Sequence, residues 1–138
     1  MPHPLREPYP LMESCRDTLR AVSGRPLSEV TLERVAAGEL SPADLHITAD
    51  TLRRQAEIAA AAGYLPLACN LRRAAELTAI PDEQLLAMYE MLRPGRASYA
   101  ELLALAARLE TEYAAPESAA LVREAAEVYQ ARGLLRAE

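Results

Sequence analysis

The strongest constraint on the fold is a regular series of helix start and stop signals that runs from Ser28 to Gly133. Segments open on a capping residue or a proline, continue with apolar residues three and four positions apart, and end at a glycine or a proline turn. Residues at this spacing share one face of a helix, whereas the side chains of a strand alternate between two faces. The series therefore predicts short amphipathic helices joined by brief loops.

The individual signals give approximate bounds for these helices. Thr48 and Ser98 stand where an N-cap is needed, and Glu101 completes a capping box with Ser98. Pro66 and Pro116 stand at helix starts, where the missing backbone N–H costs little. The predicted helices cover residues 29–37, 48–63, 66–78, 81–92, 98–113 and 116–133, with a single helical turn at residues 41–44.

Composition supports a helical fold. Hydrophobic residues make up 51% of the 138 residues, and most of them are alanine and leucine. Isoleucine and valine together number eight, and the chain has neither phenylalanine nor tryptophan. Alanine and leucine favour helices, whereas sheets draw on β-branched and aromatic residues. We therefore predict an all-α fold, in which residues 28–138 form a compact bundle of about six short helices and no strand is longer than a bridge.

The segment before residue 28 is expected to differ from the bundle. Four of the first ten residues are proline, which lacks a backbone donor and fixes φ, so residues 1–12 are predicted to be largely irregular. A short helix over residues 13–22 would end in a turn rich in serine, glycine and proline. Residues 1–27 are thus expected to form an extended N-terminal arm with one possible short helix. Two interpretations of its proline-rich opening remain: it is a disordered tail, or it lies along a partner subunit, to which Leu5, Tyr9, Leu11 and Met12 could contribute apolar contacts.

Charge and hydropathy argue against a nucleic-acid-binding, membrane-spanning or secreted protein. The net charge is −5, and all 15 basic residues are arginine. An acidic domain is a poor polyanion binder unless its arginines gather on one face. No apolar run approaches the roughly 20 residues of a membrane span, and the N-terminus lacks the apolar stretch of a secretory signal. We predict a soluble cytoplasmic protein.

Few residues could carry chemistry. Cys15 and Cys69 are far apart and belong to no CxxC or Cys/His cluster, which favours two reduced thiols over a disulfide. His3 and His46 complete no metal-binding spacing with them. The sequence has no glycine-rich phosphate loop, nucleophile elbow or HExxH motif, and its acidic pairs are typical of solvated helix faces. No catalytic, cofactor-binding or metal-binding residue is therefore predicted.

A helix-turn-helix is the main alternative function class. Residues 55–59, then Gly63, then a helix carrying Arg72-Arg73 have the spacing of a DNA-binding motif. The first turn of the second helix should then be polar or basic to read base edges. Here that turn is apolar: Leu65, Pro66, Leu67, Ala68 and Cys69. A free-standing helical adaptor or a DNA-binding regulator is retained as the alternative hypothesis.

Three groups of arginines have two interpretations. Arg53-Arg54, Arg72-Arg73 and the segment 93–96 stand on predicted helices or at their ends. They either form intramolecular pairs with nearby acids or reach acidic groups of a protein partner, since arginine is enriched at interfaces. The sequence leaves both open. The nearby acids are Glu57, Glu76 and Glu90.

The order of segments along the chain carries a family resemblance. Collinear pieces between Tyr9 and Arg132 include Gln55-Ala56-Glu57-Ile58-Ala59, Arg73-Ala74-Ala75-Glu76-Leu77-Thr78, Leu92-Arg93-Pro94 and Val122-Arg123-Glu124-Ala125-Ala126. No single piece is diagnostic, but their order resembles the small subunit of adenosylcobalamin-dependent diol and glycerol dehydratases.

That resemblance implies a function for the assembly. It implies a heterohexamer of two large, two medium and two small subunits that converts 1,2-propanediol or glycerol to an aldehyde by adenosylcobalamin radical chemistry. The large subunit would hold the substrate, and cobalamin would lie between the large and medium subunits. The small subunit would pack on the large one, supply no catalytic residue and bind no cofactor, which agrees with the sparse chemistry of this sequence.

Two apolar regions are candidates for the surface that meets the large subunit. One is the proline-rich arm with Tyr9, Leu11 and Met12, and the other is the turn beside Gly63, where three large apolar residues follow one another: Tyr64, Leu65 and Leu67. An obligate interface is more hydrophobic than ordinary surface, which favours these residues. The alternatives are a frayed tail for the arm and ordinary core packing for the two leucines.

Location and substrate preference are less constrained. Some members of the family carry an N-terminal extension linked to enclosure in a protein-shelled microcompartment. The proline-rich segment here is short, so we expect any such targeting to belong to another subunit. The preference for diol or glycerol is set in a pocket that, by the same resemblance, lies in another chain.

Overall fold

The computed structural model describes residues 9–137, and that part of the chain is all-α, as predicted. Extended pairing in it is limited to an isolated antiparallel bridge between Arg20 and Pro26. Short 3-10 turns at Arg16–Thr18, Leu27–Glu29 and Pro42–Leu45 accompany the helices. The helices are α1 (Leu11–Ser14), α2 (Leu32–Ala36), α3 (Ala49–Ala61), α4 (Leu65–Leu77), α5 (Asp82–Met91), α6 (Tyr99–Thr111) and α7 (Pro116–Arg132).

The chain forms two compact units, and each is described by itself. The first reaches to Ala75 and the second starts at Glu76, so the boundary falls inside α4. The division expected from the sequence, between residues 27 and 28, stays a prediction. Residues 1–8, which contain three of the four prolines at the start of the arm, lie outside the described residues.

The start of the first unit departs from its predicted form. α1 begins inside the segment expected to be irregular, and the helix predicted over residues 13–22 is replaced by α1, a 3-10 turn and an extended stretch. The reason is a fold-back of the backbone: Ala21 N–H donates to the Arg25 carbonyl at 2.9 Å, and Leu27 N–H donates to the Leu19 carbonyl at 3.2 Å. Backbone groups paired in this way cannot form helical hydrogen bonds.

Side-chain caps set the helix starts in the first unit. The helix predicted from residue 29 begins later because Thr31 is the N-cap, and its side chain accepts the Arg34 N–H at 3.4 Å. The predicted cap of α3 is confirmed, since the Thr48 hydroxyl accepts the Thr51 N–H at 3.2 Å. An oxygen at this position satisfies one of the donors that a helix leaves unpaired at its start.

A buried carboxylate joins two loops of the first unit. Asp44 accepts the Ser41 N–H at 3.0 Å, which completes a capping box, and it also accepts a short hydrogen bond from the Ser23 hydroxyl. These bonds, with a smaller contribution from the charge of Arg25, hold the pKa of Asp44 below its usual range. The residue therefore links the tip of the fold-back, at Ser23, to the 3-10 turn that precedes α3.

The second unit has the largest continuous core. α6 and α7 are joined by residues 112–115 and pack along each other, while Leu102 and Leu105 are the largest fully buried side chains. Four of the core alanines have no exposed surface, and small side chains of this kind let helices pack closely. The core consists of Ile80, Met88, Ala97, Leu102, Leu105, Ala106, Leu109, Ala115, Ala119, Val122 and Ala126.

Polar contacts fix the ends of helices in this unit. The predicted capping box of α6 is confirmed: Ser98 Oγ accepts the Glu101 N–H at 3.2 Å, and the Glu101 carboxylate accepts the Ser98 N–H at 2.7 Å. The N-terminus of α7 is capped by Glu76, whose carboxylate accepts the Glu117 N–H at 3.0 Å and the Ser118 N–H at 2.8 Å. Ser118 Oγ donates to the same carboxylate at 2.6 Å.

Candidate partner interface

The described residues offer few groups that could carry out chemistry or bind a metal ion. Within residues 9–137, no three histidine, cysteine, aspartate or glutamate side chains meet in a way that could hold a metal ion. His46 is exposed at the end of a 3-10 turn, and Cys15 and Cys69 are free thiols that are partly buried. No described helix is long and apolar enough to cross a membrane. The described residues do form a concave apolar surface that could receive a protein partner, between α3 and α4.

The turn between α3 and α4 places a tyrosine beside the end of α3. Gly63 adopts a left-handed φ of +88°, which glycine tolerates better than other residues. Its N–H donates to the Ala60 carbonyl at 3.0 Å, and the Tyr64 N–H donates to the Ala59 carbonyl at 2.9 Å. This pair of bonds is a Schellman motif. The motif reverses the chain after α3, and Tyr64 stands directly after the reversal.

Tyr64 also starts α4. Its carbonyl accepts the Ala68 N–H at 3.0 Å, which is the first hydrogen bond of the new helix. Pro66 lacks a backbone N–H, but a donor at this position has no partner within the helix. The connection between the helices is therefore only three residues long, 62–64, and it holds Tyr64 between them.

A groove of about 600 Å³ lies along this connection, entirely within the first unit. α3 contributes residues at positions i, i+3, i+4 and i+7, and α4 contributes residues four positions apart, so each helix presents one face to the groove. Tyr9, from the segment before α1, completes the wall. The lining residues are Tyr9, Gln55, Ile58, Ala59, Ala62, Tyr64, Leu67 and Leu71.

The polar groups of the groove are neutral and few. The lining contains one amide, that of Gln55, and the two phenols of Tyr9 and Tyr64, and no charged side chain. Within the described residues, none of these three side chains forms a hydrogen bond to another part of the chain. A mostly apolar concave surface with a few free hydrogen-bonding groups is the usual composition of a binding site.

Three of the six residues predicted to meet a partner line the groove. Tyr9, Tyr64 and Leu67 come together there, although Tyr9 is 55 positions before Tyr64 in the chain. Met12 and Leu65 are exposed but lie outside the lining. Leu11 is 6% exposed, so its side chain packs inside the chain itself. Whether these residues contact a partner stays a prediction.

Sequence reasoning missed the other walls of the groove. Gln55, Ile58 and Leu71 stand at helical spacing, and that spacing is the same for a residue in a core and for one in a groove. The sequence did offer one signal for Ile58 and Leu71, which is their closeness to Gly63. Residues close to a tight turn between two helices face the space between those helices. The sequence does not show how far the two helices diverge.

Several arginines form intramolecular pairs. Arg93 and Arg96 both contact the Glu90 carboxylate, at 3.0 and 3.3 Å. This agrees with the first interpretation given for these arginines, which is pairing within the chain. Arg54 pairs with Asp50 at 3.2 Å. These pairs are exposed, and pairs of this kind contribute about 0–1 kcal/mol to stability. The arginines therefore offer no unambiguous anchor for an acidic partner.

Comparisons with known proteins agree with the sequence resemblance. A family model described as the dehydratase small subunit matches residues 5–136. The chain is 44% identical over 130 residues to the propanediol dehydratase small subunit of Citrobacter freundii, and this alignment covers 94% of the chain and 76% of the relative. The propanediol dehydratase small subunit of Salmonella typhimurium is 44% identical over 130 residues, with 94% and 75% covered. The match to the family model thus extends through both units.

Proposed function

The chain belongs to the dehydratase small-subunit family, and from this premise we propose that it is the non-catalytic small subunit of a coenzyme B12-dependent diol or glycerol dehydratase. The observation that carries the proposal is the family match over residues 5–136, which leaves almost no part of the chain for another function. Both named relatives are small subunits of propanediol dehydratase, which supports 1,2-propanediol as the substrate of the assembly.

The role of the chain in that assembly is structural. It packs on the large subunit, in a complex that also holds a medium subunit, with two copies of each. The apolar residues exposed near Tyr64 support this role, because subunits that function only in a complex have more hydrophobic interfaces than ordinary surface. The hydro-lyase reaction takes place on the other chains. The cytoplasmic location and enclosure in a microcompartment stay predictions.

Adenosylcobalamin belongs to the assembled enzyme in this proposal, and the residues of this chain do not fit it. A corrinoid has a central cobalt and a rim of amide side chains. The groove has a single amide and no histidine, while His46 is exposed outside it. We therefore assign the binding of cobalamin to the large and medium subunits and derive no catalytic step in this chain.

The DNA-binding alternative has less support than the subunit function. The comparisons give a dehydratase family over both units. The first turn of α4, which would read base edges, presents Leu65 and Leu67 to solvent instead of polar side chains.

Identification of what copurifies with the chain tests the proposal. For this test, a C-terminal affinity tag is added to the chain. The chain is then isolated from the cells that produce it, and the proteins bound to it are identified by mass. We expect the large and medium dehydratase subunits. Recovery of duplex nucleic acid or of a regulator without either subunit would contradict the proposal.

The assignment of cobalamin to the other chains has its own test. Cobalamin is titrated into the isolated small subunit, and then into the three subunits together. We expect an unchanged absorption spectrum in the first titration and a bound spectrum in the second. Tight binding by the isolated chain would show that the cofactor is assigned to the wrong subunits.

A further inference from the structure

Residues 22–51, all of which the structure describes, have almost no core of their own. Asp44 is the one buried residue in this range, at 7% exposure, and it is a carboxylate. Burial of apolar surface is the dominant favourable term in folding, and here no apolar side chain is buried. This part of the chain therefore depends on polar contacts for its conformation. The large apolar side chains are exposed at Val22, Leu32, Val35, Leu45 and Ile47 and partly buried at Leu27, Val30 and Leu40.

Polar contacts bring the two ends of this range together. The Asp44 carboxylate accepts a hydrogen bond from the Ser23 hydroxyl, 21 positions earlier in the chain. Asp44 also accepts the Ser41 N–H at 3.0 Å, so the carboxylate is bound to both limbs of the chain. A second contact joins the limbs, since Arg25 Nη2 donates to the Glu39 carbonyl at 3.4 Å. Residues 23–44 thus form a loop that is closed at its neck, and we call this segment the flap.

Inside the flap, the side-chain contacts are ion pairs at the surface. Glu29 contacts Arg34 at 3.0 Å and Arg25 at 3.8 Å, and Arg34 contacts Glu39 at 3.8 Å. Pairs of this kind contribute little to stability, because water screens the charges and the long side chains lose freedom. α2, which the flap contains, has no buried residue, whereas α3 buries three apolar side chains. The flap is therefore held less firmly than the helix that follows it.

The neck is the contact that opposes opening of the flap. A segment with few buried apolar contacts can open while the rest of its unit stays folded, and the opened chain gains conformational entropy. Asp44 is ionised at neutral pH, because hydrogen bonds from Ser23 and Ser41 and the charge of Arg25 lower its pKa. Hydrogen bonds to an ionised group are stronger than those between neutral groups. The closed flap therefore depends more on Asp44 than on the contacts inside it.

We propose that the flap is an element of the first unit that opens by itself, and that the hydrogen bond between Ser23 and Asp44 keeps it closed. Opening separates the two limbs at the neck and releases α2, while α3 and α4 stay folded. Leu32 and Val35 move with α2, so the neck also fixes the position of these exposed apolar side chains. All of these contacts lie within this chain, so the flap opens and closes without a partner.

Hydrogen exchange of the full chain, followed amide by amide at increasing urea concentration, tests for separate opening. The flap reporters are the hydrogen-bonded N–H groups of Val35, Ala37 and Glu39, and the reference is the N–H groups inside α3 and α4. Local opening exposes little surface, so exchange through it depends weakly on urea, whereas exchange through unfolding of the unit depends on it steeply. We expect the flap amides to exchange at least roughly tenfold faster than the reference and with the weaker urea dependence.

Two matched substitutions test the neck. Ser23→Ala removes the hydroxyl that donates to Asp44, and Ser28→Ala makes the same change at an exposed serine inside the flap. We expect Ser23→Ala to speed exchange of the flap amides at least roughly tenfold, the effect of losing one hydrogen bond to a charged group. Ser28→Ala should leave the exchange within about twofold of the wild type. Asp44→Asn removes the charge with little change in size, and it should act in the same direction as Ser23→Ala.

Several results would overturn the proposal. Flap amides with the same rate and the same urea dependence as those of α3 and α4 would show that the flap does not open separately. Flap amides that exchange as fast as those of an unfolded peptide would show that the neck does not keep the flap closed. Equal effects of Ser23→Ala and Ser28→Ala would remove the role of the neck. Loss of helical content in the circular dichroism spectrum of Ser23→Ala would show that α3 and α4 do not stay folded when the neck is broken.

Discussion

At the scale of single residues, two carboxylates, those of Asp44 and Glu76, accept hydrogen bonds from distant parts of the chain. Asp44 is buried and joins the turn at Ser23 to the turn at Ser41. Its carboxylate accepts several hydrogen bonds, which favour the ionised form and lower its pKa. Such a residue makes the stability of the first unit dependent on pH.

We predict that Asp44 stabilises the fold only while it is ionised. Its pKa is lower in the folded chain than in the unfolded one, so its contribution is complete above about pH 4 and is lost as the pH falls through the folded value. The free energy of unfolding is measured from pH 7 to pH 3 for the wild type and for Asp44→Asn. The wild type should be more stable at pH 7, and the difference should shrink below pH 4.

Glu57→Gln provides the control for this experiment. Glu57 is an exposed carboxylate on α3 in the same unit. Its replacement should leave the pH dependence of unfolding close to that of the wild type. If the difference between the wild type and Asp44→Asn were the same at every pH, the charge of Asp44 would have no part in stability.

At the scale of elements, helix ends are fixed in two different ways. α3 and α6 carry their own caps, Thr48 and Ser98, next to the helices they start. α7 has no capping side chain at Ala115 and takes its acceptor from Glu76 instead. Glu76 is 41 residues before the first N–H that it binds. A negative charge at this end also favours the helix dipole.

We predict that Glu76→Gln destabilises the second unit by about 1 kcal/mol, the typical value for a lost N-cap. Glutamine keeps one acceptor oxygen, but its amide group would face the N–H groups of Glu117 and Ser118, and the charge is lost. Chemical unfolding followed by circular dichroism measures the change. Ser118→Ala should show part of the same loss, and the double variant should lose less than the sum, because both changes break one shared contact. Additive losses would contradict this account.

At the scale of the whole molecule, the described residues leave the groove between α3 and α4 uncovered. The groove lies in the first unit, while the second unit has its own core around α6 and α7. A ligand that binds the folded chain but not the unfolded chain stabilises the fold by mass action. The proposed partner should therefore affect stability as well as activity.

We predict that binding to the large subunit raises the melting temperature of this chain. At a free partner concentration of 100 times the dissociation constant, the gain is about 2.7 kcal/mol, which corresponds to roughly 10 °C for a domain of this size. Hydrogen exchange or selective labelling follows the unfolding of the small subunit within the complex. Leu67→Glu at the same partner concentration should show a smaller rise. A melting temperature that does not depend on the partner would contradict the proposed complex.

The sequence by itself determined the five longer helices of the described chain, α3 to α7. Capping residues, stop signals and apolar spacing act within a few positions, so α3 to α7 appear within one or two residues of their predicted bounds. The prediction that the chain has no metal-binding residues also rests on local evidence, because its histidines and cysteines stand at no spacing that a metal site uses. The resemblance that gave the family also depends only on residue order.

The tertiary structure alone decided the features that depend on distant residues. The helix predicted over residues 13–22 does not form as one element, because the backbone of Leu19 and Ala21 pairs with residues on the far side of a turn, Leu27 and Arg25. The cap of α7 by Glu76 joins positions about 40 apart, and Tyr9 reaches the groove from a segment far from Tyr64. Helical spacing places a residue on a face but does not say whether that face is covered. Coverage depends on how separate segments pack, and so only the structure distinguished the buried Leu11 from the exposed Leu67.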